Sequence, residues 1–218
     1  MGKIKGVLLD MDGTLLNSEL YYMDAVFKLL KDYNYPNDLK DGCSIIGTSM
    51  DVTYQILSDL IDNVISPTKV KELLDYTYQN NPMVIKDIVF DYVVDTIKWF
   101  KQQGIKVAIC SSTHIDGIKH VISELDISEY IDYYISGCDI DNPKPAGDIY
   151  LMALDYLKLD KDQVIIYEDS YSGIMAGLNA GVYTIAREEL RFNIDQSGAD
   201  KIVKDILELK EFVKGKLD

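Results

Sequence analysis

The chain has 218 residues, of which 47% are hydrophobic and 27% charged, the balance of an ordinary folded protein with room for a substantial core. Its formal charge of −14 sets up a field that repels polyanions, which argues against nucleic acid and anionic membrane surfaces as partners. Cys43, Cys110 and Cys138 are widely spaced and form no C-x-x-C pair, which argues against a disulfide framework and a zinc site. The first apolar run is too short for a signal segment, and no stretch of about 18 apolar residues occurs. A cytoplasmic protein without a membrane partner is expected.

Near the start, Val7-Leu8-Leu9 reads as a buried strand that ends in Asp10-Met11-Asp12-Gly13-Thr14-Leu15. Side chains alternate along a strand, so Asp10 and Asp12 would share a face, and a bend at Gly13 would let their carboxylates converge. Close carboxylates repel unless a cation separates them or one keeps its proton. A hard divalent ion such as Mg²⁺ meets that need, and is preferred here to an acidic turn without chemistry.

From Asn17 to Tyr33, Leu20, Met23, Val26, Phe27 and Leu30 recur three or four apart, which predicts a helix capped by Asn17 or Ser18. Residues 34–81 stay helical and interrupted, with helices over Met50–Val64 and Ser66–Tyr78, the latter opened by Ser66 and Pro67. Strand and helix signals alternate afterwards. Helices are expected over Asp91–Gln103, Asp116–Leu125, Asp148–Leu157, Gly173–Asn179 and Asp205–Lys214. Strands are expected over Ile105–Cys110, Tyr133–Ser136, Gln163–Tyr167 and Gly181–Ala186. This alternation predicts an α/β fold: a Rossmann-like three-layer core with a parallel sheet, residues 1–16 and 84–218. The helical block, residues 17–83, reads as a small α-helical cap domain inserted after the first strand.

Ligands of such sheets bind beyond the carboxyl ends of the strands. Ser111-Ser112-Thr113 follows one strand, and its hydroxyls suit either a helix cap or a phosphate oxygen. Asn142-Pro143-Lys144-Pro145-Ala146-Gly147-Asp148 holds a lysine between two prolines, a stiff segment that limits the freedom its ammonium loses on meeting an anion. Ile165-Ile166-Tyr167-Glu168-Asp169-Ser170 repeats the opening design, and the small residues Gly173, Ala176, Gly177, Ala180 and Gly181 read as close helix–sheet packing.

These four stretches, in this order and over nearly the whole chain, resemble the motifs of the haloacid dehalogenase-like hydrolases, in their phosphatase and β-phosphoglucomutase-like branch with a helical cap. The resemblance implies a Mg²⁺-dependent phosphatase acting on a small phosphorylated metabolite, a sugar phosphate or a phosphoglycolate-like acid. It implies Asp10 as the nucleophile that forms an aspartyl phosphate and Asp12 as the general acid and base. Asp10, Asp12 (through its backbone carbonyl), Asp169 and Glu168 would hold the metal. Asp10, Gly13, Ser111, Ser112 and Lys144 would grip the substrate phosphate. Gly147 departs from the motif, which has proline there.

Three cap positions, Tyr22, Gly47 and Met50, are candidates for substrate contact. In the mutase members a histidine and an arginine stand where this chain has Tyr22 and Met50. Their absence favours hydrolysis, with β-phosphoglucomutase activity as the alternative and a noncatalytic phosphate-binding protein as the third reading. A monomer is expected, since a cap must open and close.

Overall fold

The computed structural model describes residues 2–36, 38–46 and 50–217. The chain divides into two compact units, Met1–Asn17 with Ile85–Asp218, and Ser18–Val84. Asn17 falls with the first unit, where its amide donates to the Ile88 carbonyl at 2.7 Å.

The first unit is built on a parallel sheet of six strands in the order β3-β2-β1-β4-β5-β6. These are β1 (Gly6–Leu9), β2 (Lys106–Ser111), β3 (Tyr133–Ser136), β4 (Val164–Glu168), β5 (Tyr183–Arg187) and β6 (Lys201–Val203). β1, β2 and β4 are buried, and they read as near-continuous apolar runs, as strands of a parallel sheet covered by helices do. The α/β expectation therefore holds. One strand, β6, escaped the sequence reading: only three residues long, it exposes Lys201 and Ile202 and offers no apolar run.

The chain builds outward from β1 to β3 and then returns to the other side of β1 as β4. β1 thus lies at the switch point where an open α/β sheet places its ligands. In register, Leu9 of β1 stands beside Ile109 of β2 and Tyr167 of β4. The residues that follow, Asp10 after β1, Cys110-Ser111 closing β2, and Glu168 closing β4 with Asp169 after it, therefore stand at one end of the sheet.

The helices of this unit are α4 (Ile85–Ile88), α5 (Val93–Gln102), α6 (Ile115–Glu124), α7 (Asp148–Leu157), α8 (Tyr171–Ala180) and α9 (Ile206–Lys214). On one face of the sheet, Ile149, Tyr150, Ala153 and Leu157 of α7 and Ala176 and Ala180 of α8 pack on Leu8, Ala108, Cys110, Val164 and Ile166. Gly147 belongs to this packing, since a Cβ there would stand 2.6 Å from the Ala180 amide nitrogen. A proline ring would meet the same backbone, which accounts for the glycine.

The second unit contains α1 (Ser18–Asp32), a 3₁₀ segment (Leu39–Ile45), α2 (Met50–Leu60) and α3 (Pro67–Asn80). α3 opens as its sequence predicts: Pro67 occupies its first position and Ser66 Oγ accepts from the Lys69 amide at 3.3 Å. Met23, Val26, Leu30, Leu57, Ile61, Val70 and Leu74 form its core, while Leu20, read as part of the same stripe, is exposed. Among the described residues, no helix is long and apolar enough to cross a membrane.

Candidate active site

The turn after β1 is fixed by its own backbone. The Gly13 amide donates to Leu16, Leu15 and Leu16 donate to Met11, and the Thr14 hydroxyl caps the Asp10 carbonyl. Gly13 has φ +80°, the left-handed region that glycine adopts without a steric penalty. It is also a point of close approach, because a Cβ there would lie 1.9 Å from Asp169 Oδ2. Gly173 repeats the device on α8: its missing Cβ would stand 1.8 Å from Glu168 Oε1. Gly173 was read from the sequence as a helix-packing residue, and the structure instead makes it room for a carboxylate. Gly177 does serve helix–sheet packing, against Thr184 of β5.

Asp10, Glu168 and Asp169 are buried, and each offers a carboxylate oxygen within 4.8 Å of the others. Lys144 Nζ donates to Asp10 Oδ1 and Glu168 Oε1, both at 2.6 Å, and to the Cys110 carbonyl at 2.9 Å. Burial opposes the lysine's charge, yet the two carboxylates prevail and raise its pKa above the ordinary lysine range. Burial also raises the Asp10 pKa well above the ordinary carboxylate range; Lys144 counteracts it and Glu168 adds to it. Burial pushes the neighbouring Cys110 thiol up to about 12, so it stays protonated and inert.

Asp12 is held from the segment that follows β2. Asp12 Oδ2 accepts from Thr113 Oγ1 at 2.6 Å and lies 3.5 Å from Ser111 Oγ, and its charge is among those that raise the Asp10 pKa. The hydroxyls after β2 do not cap α6, because His114 stands at its N-cap and makes no side-chain cap bond. Ser111 is buried and accepts from the Thr113 amide at 3.0 Å, while Ser112 is exposed.

The structure thus brings Asp10, Asp12, Gly13, Ser111, Lys144, Glu168 and Asp169 to the carboxyl ends of β1, β2 and β4. Tyr22 and Met50 belong to the helical unit. Tyr22 is 38% exposed and meets Tyr21 and Tyr78 edge-on, and Met50, 57% exposed, opens α2. Gly47 lies outside the described residues.

Several residues of the site were not singled out from the sequence. Tyr150, fully buried on α7, donates to Glu168 Oε1 at 2.6 Å. Arg187, at the end of β5, stacks on Phe90 with its Cζ 3.8 Å from the ring centroid and donates to the Gly13 carbonyl at 3.3 Å. A cation at a strand end was a readable signal, as was the third hydroxyl of the Ser-Ser-Thr run. A tyrosine on an apolar helix carries none.

The donor set suits a hard cation. Three buried carboxylates lie together, two of them bonded to one ammonium, and oxygen is their only ligand atom. Glu168 is already committed: Oε1 serves Lys144 and Tyr150, and Oε2 accepts from the Asp169 amide at 3.1 Å and from Ser170.

Comparison with known proteins agrees with this arrangement. The family model described as "Haloacid dehalogenase-like hydrolase" matches residues 7–187. The chain is 26% identical to a phosphorylated carbohydrates phosphatase of Thermotoga maritima, over 84% of each chain. It is 29% identical to the pyrophosphatase PpaX of Bacillus anthracis, over 84% of this chain and 83% of that one. In fold it resembles a β-phosphoglucomutase structure from Clostridium difficile, with TM-score 0.75 and 20% identity, over 98% of this chain and 97% of the other. With a match that runs from β1 through β5, the chain belongs to the haloacid dehalogenase-like hydrolases.

Proposed function

We propose that this protein is a Mg²⁺-dependent phosphatase that hydrolyses a small phosphorylated metabolite through a phosphoaspartate on Asp10. The observation that carries this reading is the Lys144 ammonium held 2.6 Å from Asp10 Oδ1 inside a buried carboxylate cluster. Such a site pairs a nucleophile with the charge needed to meet a phosphoryl group.

Asp10 attacks phosphorus as its carboxylate, forming the aspartyl phosphate as the ester oxygen leaves. Asp12, oriented by Thr113, gives a proton to that oxygen and then takes one from the incoming water. Ser111 and Lys144 stabilise the transferring group, with Ser112 and the Gly13 turn beside it. Asp10, Asp169 and the Asp12 backbone would hold Mg²⁺, which supplies charge neutralisation at the phosphate. Glu168, with its oxygens occupied by Lys144, Tyr150 and backbone amides, acts by fixing the lysine. The unit of residues 18–84 serves as the substrate-selecting cap, and the protein works as a monomer.

Hydrolysis is favoured over mutase chemistry because neither Tyr22 nor Met50 carries the charge that would clamp a second phosphate. The names of the two sequence relatives, both phosphatases, support the same choice. Phosphorus NMR with Mg²⁺ and a mixture of sugar and small-acid phosphomonoesters tests the reading. The mixture includes β-glucose 1-phosphate primed with its 1,6-bisphosphate. Inorganic phosphate growing from one ester is expected; glucose 6-phosphate appearing without free phosphate would make the protein a mutase.

A further inference from the structure

We propose that Gln196 is a positioning residue for the metal-binding carboxylate of Asp169, an inference that rests on the metal-dependent reading above. Gln196 lies in the loop that follows β5, outside any helix or strand, yet it is only 7% exposed. Its side-chain amide makes three hydrogen bonds. Nε2 donates to the Asp169 carbonyl and to the Arg187 carbonyl, each at 2.7 Å, and Oε1 accepts from the Glu189 amide at 3.1 Å.

These bonds join two strand ends through one side chain. Asp169 follows β4 directly, and Arg187 is the last residue of β5. The peptide between Asp169 and Ser170 is held from both sides, its carbonyl by Gln196 and its N–H by Glu168 Oε2 at 3.5 Å. That peptide plane sets the direction in which the Asp169 side chain leaves the backbone, and the Gly13 turn packs against its Oδ2 and limits its rotation. The loop itself is anchored, because buried Glu189 pairs with Arg191 and lies 3.5 Å from Arg187 Nη1. Arg187 in turn holds the Gly13 carbonyl. One amide therefore links the second metal carboxylate to the segment that braces the nucleophile's turn, the kind of outer contact that tunes metal affinity.

Two substitutions separate this role from simple loop closure. Gln196→Met keeps the bulk and removes all three bonds; Gln196→Glu keeps the acceptor for Glu189 and removes the donor to Asp169. Asp195→Ala is the control, since it removes an exposed turn bond to the Ser197 amide in the same loop and leaves Asp169 untouched. Mg²⁺ binding is measured by titration calorimetry, and the Mg²⁺ activation constant and KM are measured with p-nitrophenyl phosphate. Both Gln196 variants should weaken Mg²⁺ about ten-fold, with KM at saturating metal unchanged and Asp195→Ala like the wild type.

Wild-type metal affinity in Gln196→Met would overturn the proposal, as would an equal loss in Asp195→Ala. Should Gln196→Met not fold, Gln196→Glu decides on the same readouts. Failure of the wild-type protein itself to bind Mg²⁺ would instead overturn the metal-dependent reading.

Discussion

Thr113 donates its hydroxyl to Asp12 Oδ2 at 2.6 Å, joining the end of β2 to the turn after β1 across 101 positions of sequence. The bond fixes the direction of the Asp12 carboxylate. A general acid needs a fixed direction more than it needs burial, because proton transfer requires hydrogen-bond reach to the leaving oxygen. Thr113→Val keeps the shape and removes the donor. Loss of one hydrogen bond to a charged group corresponds to about 1.5–3 kcal/mol, so kcat should fall roughly ten- to a hundred-fold. KM for the same ester should change little, and steady-state kinetics of the purified variant would read the split. An unchanged kcat would remove Thr113 from the machinery.

Lys144 is the only ammonium bonded to Asp10 and Glu168 in the described structure, and its side chain is 3% exposed. Lys144→Met would leave both carboxylates buried and unpaired. Removing one partner of a buried ion pair costs about 3–5 kcal/mol, an amount that should appear as a lower denaturant midpoint. Turnover should vanish with it. Added Mg²⁺ should restore part of the lost stability without restoring activity, since a metal offsets charge but does not replace the lysine's hydrogen bonds.

The strand-end acids were legible because an apolar run that stops at a carboxylate is unusual for a core strand, and Asp10, Glu168 and Asp169 all follow that pattern. Which acids would face one another was not legible. Alternation along an extended chain suggests that Asp10 and Asp12 share a face, but it says nothing of Glu168 and Asp169 meeting Asp10, or of Thr113 holding Asp12. Partners such as Tyr150 and Gln196 come from distant segments, and nothing in their neighbours marks them. β6 was missed for a local reason: it gains its place from pairing with β5, not from its own three residues.

Gly13 and Gly173 each occupy a spot where a Cβ would overlap a carboxylate, of Asp169 and Glu168 respectively. The costs should differ in kind. Gly13→Ala meets both the carboxylate and an unfavourable φ of +80°, so a destabilisation of about 1–3 kcal/mol is expected, with metal activation lost as Asp169 is displaced. Gly173 lies within α8, where alanine is the better helix former, so any loss must come from the displaced Glu168. For Gly173→Ala, turnover should drop sharply. Thermal melting combined with a Mg²⁺ titration distinguishes the two, and wild-type activity in either variant would contradict the packing.

Stability of the metal-free protein should depend on pH through Asp10. Burial raises its folded pKa above that of the unfolded chain, with Lys144 opposing and Glu168 reinforcing the shift. A free aspartate titrates near about 3.9, so above that pH the unfolded chain releases a proton that the folded protein still retains. The folded state then binds more protons, and stability is lost as pH rises from about 4 through the folded pKa, by at most about 1.4 kcal/mol per pH unit. Asp10→Asn has no such proton. Lys144, held above the ordinary lysine range by its carboxylates, remains charged throughout this range in the wild type. Urea unfolding in EDTA between about pH 4 and 8 should therefore reveal a stability difference, Asn variant minus wild type, that grows with pH. Mg²⁺ should shrink the difference by supporting the ionised carboxylate of the wild type. A gap that stays flat or narrows with rising pH in EDTA would mean that Asp10 is ionised in the folded protein as easily as in the unfolded chain.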